Sequence, residues 1–207
     1  MNRILIHGLG QTSNSWDKVA SQLDSTDHII CPDMKKLLEG KTATYYSLYS
    51  SFSTMCDEIE EPISLCGLSL GGILALNYTI EHPQKVKSLV LVSTQYKMPK
   101  TLLKIQNIVF RFMPKSMFQQ MGFEKKELLN LCKTMMELDF SDSLHKILCP
   151  TLIIYGEKDG ANKKAAIELT NGVANAEIRV LDSVGHEANT EAPEKLSKVI
   201  CDFYQRD

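Results

Sequence analysis

The sequence predicts an α/β protein, a three-layer α/β/α sandwich built on a mostly parallel sheet of about six strands. Short apolar runs alternate with helical patterns almost throughout the 207 residues. This alternation implies parallel strands with helices on both faces of the sheet. The turn at 67–71, with the sequence Gly-Leu-Ser-Leu-Gly, joins an apolar run directly to a helical segment. Asp159 and His186 each follow a late apolar run.

The amino-terminal half predicts three strands, each followed by a helix or a loop. In chain order, the predicted elements are a strand at 4–7, a helix at 16–23, a strand at 28–33, a helix at 44–59, a strand at 63–66 and a helix at 70–80. The helix at 44–59 rests on its apolar spacing, in which Leu48, Phe52 and Met55 lie three or four residues apart.

The carboxyl-terminal half predicts three more strands and a long segment without strand patterns. In chain order, the predicted elements are a strand at 86–93, a helical insert at 95–143, a strand and its exit loop at 149–159, a helix at 163–171, a strand at 176–181 and a helix that starts at Pro193. The insert holds six of the nine methionines, and two prolines divide it into short helices.

Composition excludes several classes of function. A net charge of −2 gives no basic surface for nucleic acid, so no nucleic-acid partner is expected. No apolar stretch reaches the roughly 18–20 residues of a membrane span. The amino terminus lacks the pattern of a signal peptide, so a cytoplasmic location is expected. The six cysteines are scattered and four lie in or beside apolar runs, which indicates buried small side chains rather than a metal site.

The turn at 67–71 is a candidate for nucleophilic chemistry. A strand that reverses sharply into a helix forces its central residue, Ser69, into a strained backbone conformation. Gly67 and Gly71 supply the small neighbours that such a turn needs. The hydroxyl is then exposed above the sheet, beside the first N–H groups of the helix. This G-x-S-x-G pattern is the nucleophile elbow.

The chain resembles the α/β-hydrolase family at this elbow and well beyond it, as a serine esterase- or lipase-like minimal form that lacks the first two strands. The resemblance implies the chain order Ser, Asp, His for a catalytic triad. It places the nucleophile at Ser69, the general base at His186 and the acid that orients it at Asp159. Glu157 remains an alternative acid, and Asp159 is preferred because it has the family spacing from Gly156.

The resemblance also implies where the oxyanion is bound. The loop after the first strand, His-Gly-Leu-Gly, would supply the backbone N–H of Leu9, and the residue after the nucleophile would supply that of Leu70. His7 matches a family position at which the imidazole supports this loop, so a structural role is expected. His28, His82 and His145 are not well placed to be the base.

In the family, the insert forms a small helical cap over the nucleophile. The implied division is a core of 1–94 and 144–207 with a cap at 95–143. Methionine is flexible and polarisable, so Met113, Met117 and Met121 are candidates for contact with an acyl chain. Ordinary packing inside the cap is an equal alternative for these side chains.

These features predict a serine hydrolase that cleaves a carboxylic ester through an acyl-enzyme. The expected partner is a small-molecule ester with an apolar acyl or alcohol part. No cofactor and no metal are expected, since the mechanism needs none and the sequence holds no dinucleotide- or phosphate-binding glycine motif. The alternatives are hydrolysis of carbon–carbon, thioester or amide bonds, a perhydrolase with the same triad, and a ligand-binding protein without turnover.

Overall fold

The computed structural model describes residues 1–99 and 123–206. Six strands form one sheet in the order β2-β1-β3-β4-β5-β6, and every neighbouring pair is parallel. The strands are β1 (Asn2–Ile6), β2 (His28–Ile30), β3 (Ile63–Leu68), β4 (Val86–Val92), β5 (Thr151–Gly156) and β6 (Ala176–Leu181). The predicted three-layer α/β architecture with about six strands is confirmed, and this sheet is parallel throughout.

Helices follow the strands as the alternating pattern predicts. The described helices are α1 (Asp17–Ala20), α2 (Met34–Leu37), α3 (Tyr45–Asp57), α4 (Leu70–Glu81), α5 (Lys125–Met135), α6 (Gly160–Gly172), α7 (Ala188–Glu191) and α8 (Pro193–Tyr204). The helix predicted at 16–23 is shorter than expected. The N–H groups of Gln22 and Leu23 bond to carbonyls three residues back, and this tighter geometry ends α1 early.

Apolar side chains cover both faces of the sheet. In β1, Ile4 and Ile6 belong to one buried cluster, whereas Leu5 belongs to the other. Successive side chains of a strand point to opposite faces, so each face has its own core. The first cluster includes residues of α3, α4, α5 and α6, and the second includes residues of α8 together with Trp16. Four of the six cysteines are buried, Cys56, Cys66, Cys132 and Cys149, whereas Cys31 and Cys201 are partly exposed.

The insert at 95–143 is described only at its two ends. The ends pair with each other, since Met98 N donates to Leu138 O (3.1 Å) and Phe140 N donates to Tyr96 O (2.9 Å). Beyond this pairing, α5 packs against α3 and buries Leu131 in the first cluster. The division into a core and a cap stays a prediction.

Candidate active site

Ser69 stands alone between β3 and α4, at the carboxyl edge of the sheet. Its backbone φ of 53° lies in a region that residues other than glycine rarely adopt. The position is held by the neighbouring strand, because Ser69 N donates to Val92 O (2.8 Å). A Cβ on Gly71 would lie 2.2 Å from Ile6 O, so only glycine allows α4 to approach β1 this closely. The strained turn expected from the sequence is therefore present.

The loop after β1 lies beside Ser69. A Cβ on Gly8 would be only 3.6 Å from Ser69 Cβ. Leu9 is the second residue of the turn from Gly8 to Gln11, and its N–H is not used to close that turn. Leu70 is the first residue of α4, so its N–H has no carbonyl partner within the helix. Both N–H groups named as oxyanion donors thus belong to segments that adjoin the serine.

His7 supports this loop and does not join the proposed triad. Its side chain is buried, with Nδ1 donating to Gly8 O (2.9 Å) and Nε2 accepting from Met34 N (3.1 Å). These two hydrogen bonds require a neutral imidazole that carries its proton on Nδ1. Burial lowers the pKa of His7 further, which favours the same neutral form. The geometry agrees with the expected structural role.

His186 and Asp159 form a hydrogen-bonded pair. His186 Nδ1 donates to Asp159 Oδ2 at 2.9 Å, and Asp159 is only 7% exposed. The bond to Asp159 raises the pKa of His186 above its ordinary value. Burial by itself would raise the pKa of Asp159, but hydrogen bonds from His186 and Asn162 outweigh it, and the net pKa is lowered. The pair therefore favours a carboxylate that holds the imidazole in one orientation.

Asn162 is a buried neighbour of this pair that the sequence analysis did not single out. Its Nδ2 donates to both carboxylate oxygens of Asp159, at 2.9 Å each, and lies 3.2 Å from His186 Nδ1. Gln95 Nε2 donates to Asn162 Oδ1 (2.8 Å), which turns the Asn162 amide so that its N–H groups face the carboxylate. The only sequence signal is a position three residues after Asp159, in the first turn of α6.

The loop that carries His186 crosses the carboxyl edge of the sheet. It leaves β6 at the end of the sheet and passes β5, where a Cβ on Gly156 would lie 2.2 Å from Gly185 O. It ends against Gln11, beyond β1. Ser69 follows β3, which lies between β1 and β5 in the sheet. The loop thus spans the edge above Ser69, although no hydrogen bond between the side chains of Ser69 and His186 occurs in the described part of the chain.

Glu157 is not part of the His186–Asp159 pair. Glu157, the alternative acid, is exposed and accepts from the backbone N–H of Ser183 (2.8 Å). Met113, Met117 and Met121 lie outside the described residues.

Within 1–99 and 123–206, no group of three or more His, Cys, Asp or Glu side chains is arranged to hold a metal ion. None of the helices in those two ranges combines the length and apolar character of a membrane span.

Comparison with known proteins gives related sequences over nearly the whole chain. Human monoacylglycerol lipase ABHD6 is 24% identical, over 97% of this chain and 74% of its own length. Lipase 1 of Psychrobacter immobilis is 26% identical, over 91% of this chain and 72% of its own length.

Solved structures show the same fold. An esterase from Thermogutta terrifontis superimposes with a TM-score of 0.80 at 18% identity, covering 100% of this chain and 90% of its own. MenH from S. aureus superimposes with a TM-score of 0.83 at 17% identity, covering 100% of this chain and 94% of its own. A family model described as alpha/beta hydrolase fold matches residues 4–126. The chain belongs to the α/β-hydrolase fold family.

Proposed function

We propose that this protein is a serine hydrolase that cleaves carboxylic esters through an acyl-enzyme. The observation that carries the proposal is the hydrogen-bonded pair of Asp159, which follows β5, and His186, whose loop crosses the same edge of the sheet at which Ser69 occupies its strained turn. A serine in this setting becomes a nucleophile when an adjacent imidazole takes its proton. The lipases and the monoacylglycerol lipase among its relatives support ester cleavage as the reaction.

Each residue has a defined part in the proposed reaction. Ser69 Oγ forms a bond to the carbonyl carbon while its proton passes to His186 Nε2, and Asp159 stabilises the resulting imidazolium. The N–H groups of Leu9 and Leu70 stabilise the negative carbonyl oxygen. The carbon–oxygen bond to the alcohol then breaks, and His186 returns the proton to the departing alkoxide. Water then adds to the acyl carbon while His186 Nε2 takes its proton, the bond from Ser69 Oγ to the acyl group breaks, and His186 returns the proton to Ser69 as the carboxylic acid leaves.

The proposed substrates are small esters with an apolar acyl or alcohol part. Support comes from the named activities of the relatives and from the apolar composition of the insert. Met113, Met117 and Met121 are proposed to contact the acyl chain. A cytoplasmic location is proposed on the sequence pattern alone.

The experiment compares p-nitrophenyl butyrate hydrolysis by the parent, Ser69→Ala and Ser183→Ala. Ser183 is the matched control because it also has a positive φ, 62°, yet lies on the exposed turn before His186. We expect Ser69→Ala to lose all measurable turnover and Ser183→Ala to keep it. Mass spectrometry after a fluorophosphonate probe should find the adduct on Ser69.

Two outcomes would reject the proposal. Hydrolysis by Ser69→Ala at the parent rate would exclude the serine as nucleophile. A parent that hydrolyses no ester, thioester or amide in a broad panel would favour the ligand-binding alternative. Preference for thioesters or amides over esters would keep the mechanism and change the substrate class.

A further inference from the structure

The turn after β1 is closed twice by one residue, Gln11. Its backbone N donates to Gly8 O (3.2 Å), and its side-chain Oε1 accepts from Gly8 N (3.2 Å). Gly10 has a φ of 88°, the value that the third position of a type II turn requires. Leu9, the proposed oxyanion donor, is the second residue of this turn. The Gln11 side chain therefore fixes the segment that carries the Leu9 N–H.

The same side chain is bonded to the loop that carries His186. Gln11 Nε2 donates to Asn189 Oδ1 (3.1 Å), and Asn189 Nδ2 donates to Gln11 Oε1 (3.0 Å), although the two residues are 178 positions apart in the chain. We call this reciprocal amide pair the Gln11–Asn189 clasp. Gln11 Nε2 also donates to Glu187 Oε2 (3.2 Å), directly after His186. Asn189 is 1% exposed, so its amide is buried against this partner.

Hydrogen bonds to one carboxylate hold the histidine loop on both sides of His186. Glu191 accepts from Gly185 N (2.7 Å) and from Glu187 N (3.0 Å), so one carboxylate holds the backbone on both sides of His186. Asn189 lies within this braced segment. A shift of Asn189 would therefore move His186 with it.

We propose that Gln11 and Asn189 are positioning residues that fix the oxyanion loop relative to the histidine loop. The inference rests on the proposed function, in which Leu9 N–H and His186 act on the same tetrahedral intermediate. Such donors act only when they are prearranged at hydrogen-bond distance, and a misplacement of about 1 Å can cost about 100-fold in rate. A buried amide is unfavourable without partners, and among the described residues the Asn189 side chain bonds to Gln11 and Ser15 of one segment.

The first measurement is hydrogen–deuterium exchange of Asn189→Ala, followed at the backbone amides of residues 7–11. We expect faster exchange there than in the parent, although the substitution lies at the other end of the chain. Gln11→Ala provides the reciprocal test at residues 184–188, and it removes a side chain that is only half-buried. The matched control is Asn14→Ala, which removes an exposed amide three residues after Gln11 and should leave both segments unchanged.

The second measurement separates positioning from simple stability. For p-nitrophenyl butyrate, we expect Asn189→Ala to lower kcat about tenfold with little change in KM. Affinity for a trifluoromethyl ketone, which forms an oxyanion adduct with serine, should fall by the same factor, whereas affinity for the corresponding secondary alcohol should not. The double variant should lose no more than the worse single variant, since both break the same contact.

If the parent is active and Asn189→Ala leaves amide exchange at residues 7–11 unchanged, the clasp has no positioning role. The proposed function would remain intact. Fully additive kcat losses in the double variant would overturn the positioning role as well. A parent that hydrolyses no ester would instead refute the proposed function. The two failures are therefore distinguishable.

Discussion

Asp159 and His186 shift each other's pKa in opposite directions. The hydrogen bond and charge of Asp159 raise the pKa of His186, and the bonds from His186 and Asn162 help to lower that of Asp159. The proposed base works only when its imidazole is neutral. Activity should therefore decline as the pH falls through the pKa of His186 in the free enzyme.

We expect kcat/KM for an uncharged ester to fall as the pH is lowered. The midpoint of this fall should lie above pH 6.5, the ordinary pKa of histidine. Asp159→Asn removes the largest cause of the raised pKa, so the midpoint should move down. The same change should reduce kcat/KM by about 10³- to 10⁴-fold, because the imidazole loses its orienting partner. Glu157→Gln is the control and should leave both quantities nearly unchanged. A large loss in Glu157→Gln would mean that the acid was assigned wrongly.

Sequence reasoning can propose roles for residues that local patterns mark, but it gives no sign of residues whose proposed roles depend on tertiary contacts. Ser69 and Asp159 are marked by nearby glycines, and His186 by its position after the last strand. Asn162, Gln11 and Asn189 carry no such mark. Their roles arise from side-chain bonds across loops, and one amide in a sequence does not reveal which distant group it will contact.

The β3–turn–α4 element is the part of the fold that local sterics determine most strongly. A strand can reverse into a helix within one residue only if the flanking backbone is free of side chains. Gly67 and Gly71 meet that need, and a Cβ on Gly67 would lie 2.3 Å from the Gly71 carbonyl carbon. The contact of Gly71 with Ile6 O adds a tertiary requirement to the local one.

We expect Gly71→Ala to destabilise the protein by about 3 kcal/mol, because its new methyl group meets backbone atoms that cannot move aside. Gly160→Ala is the matched control, since a Cβ there has no neighbour within 4 Å and α6 begins at this residue. Alanine lowers the conformational entropy of the unfolded chain, so Gly160→Ala should stabilise the protein by about 0.4–1 kcal/mol. Urea unfolding followed by far-UV circular dichroism measures both. A Gly71→Ala variant as stable as the parent would contradict the proposed close approach.

At the scale of the whole molecule, the sheet separates two buried clusters, and we expect them to unfold together. The only tryptophan, Trp16, lies in the second cluster. Helix α5, inside the predicted cap, buries Leu131 in the first cluster on the other face. The described end of the insert therefore packs as part of the main core. Loss of that packing should weaken both faces of the sheet together.

We expect Leu131→Ala to lower the free energy of unfolding by about 2–5 kcal/mol, because the side chain is fully buried. The urea midpoint should shift equally by circular dichroism and by Trp16 fluorescence, although Trp16 lies across the sheet. Lys133→Ala, on the exposed side of α5, should change stability by less than about 0.5 kcal/mol. A Leu131→Ala midpoint that moves by circular dichroism alone would show that α5 unfolds separately.

The sequence by itself determined the order of strands and helices, the parallel sheet and the strained turn at Ser69. Apolar periodicity and glycine spacing act over a few residues, so they can be read along the chain. Only the tertiary structure decided how the loops meet at the carboxyl edge. The path of the His186 loop depends on the close contact at Gly156, and its end depends on the clasp with Gln11. The first contact joins Gly156 to Gly185, 29 positions further along the chain, and the clasp joins residues 178 positions apart, so no local pattern encodes their geometry.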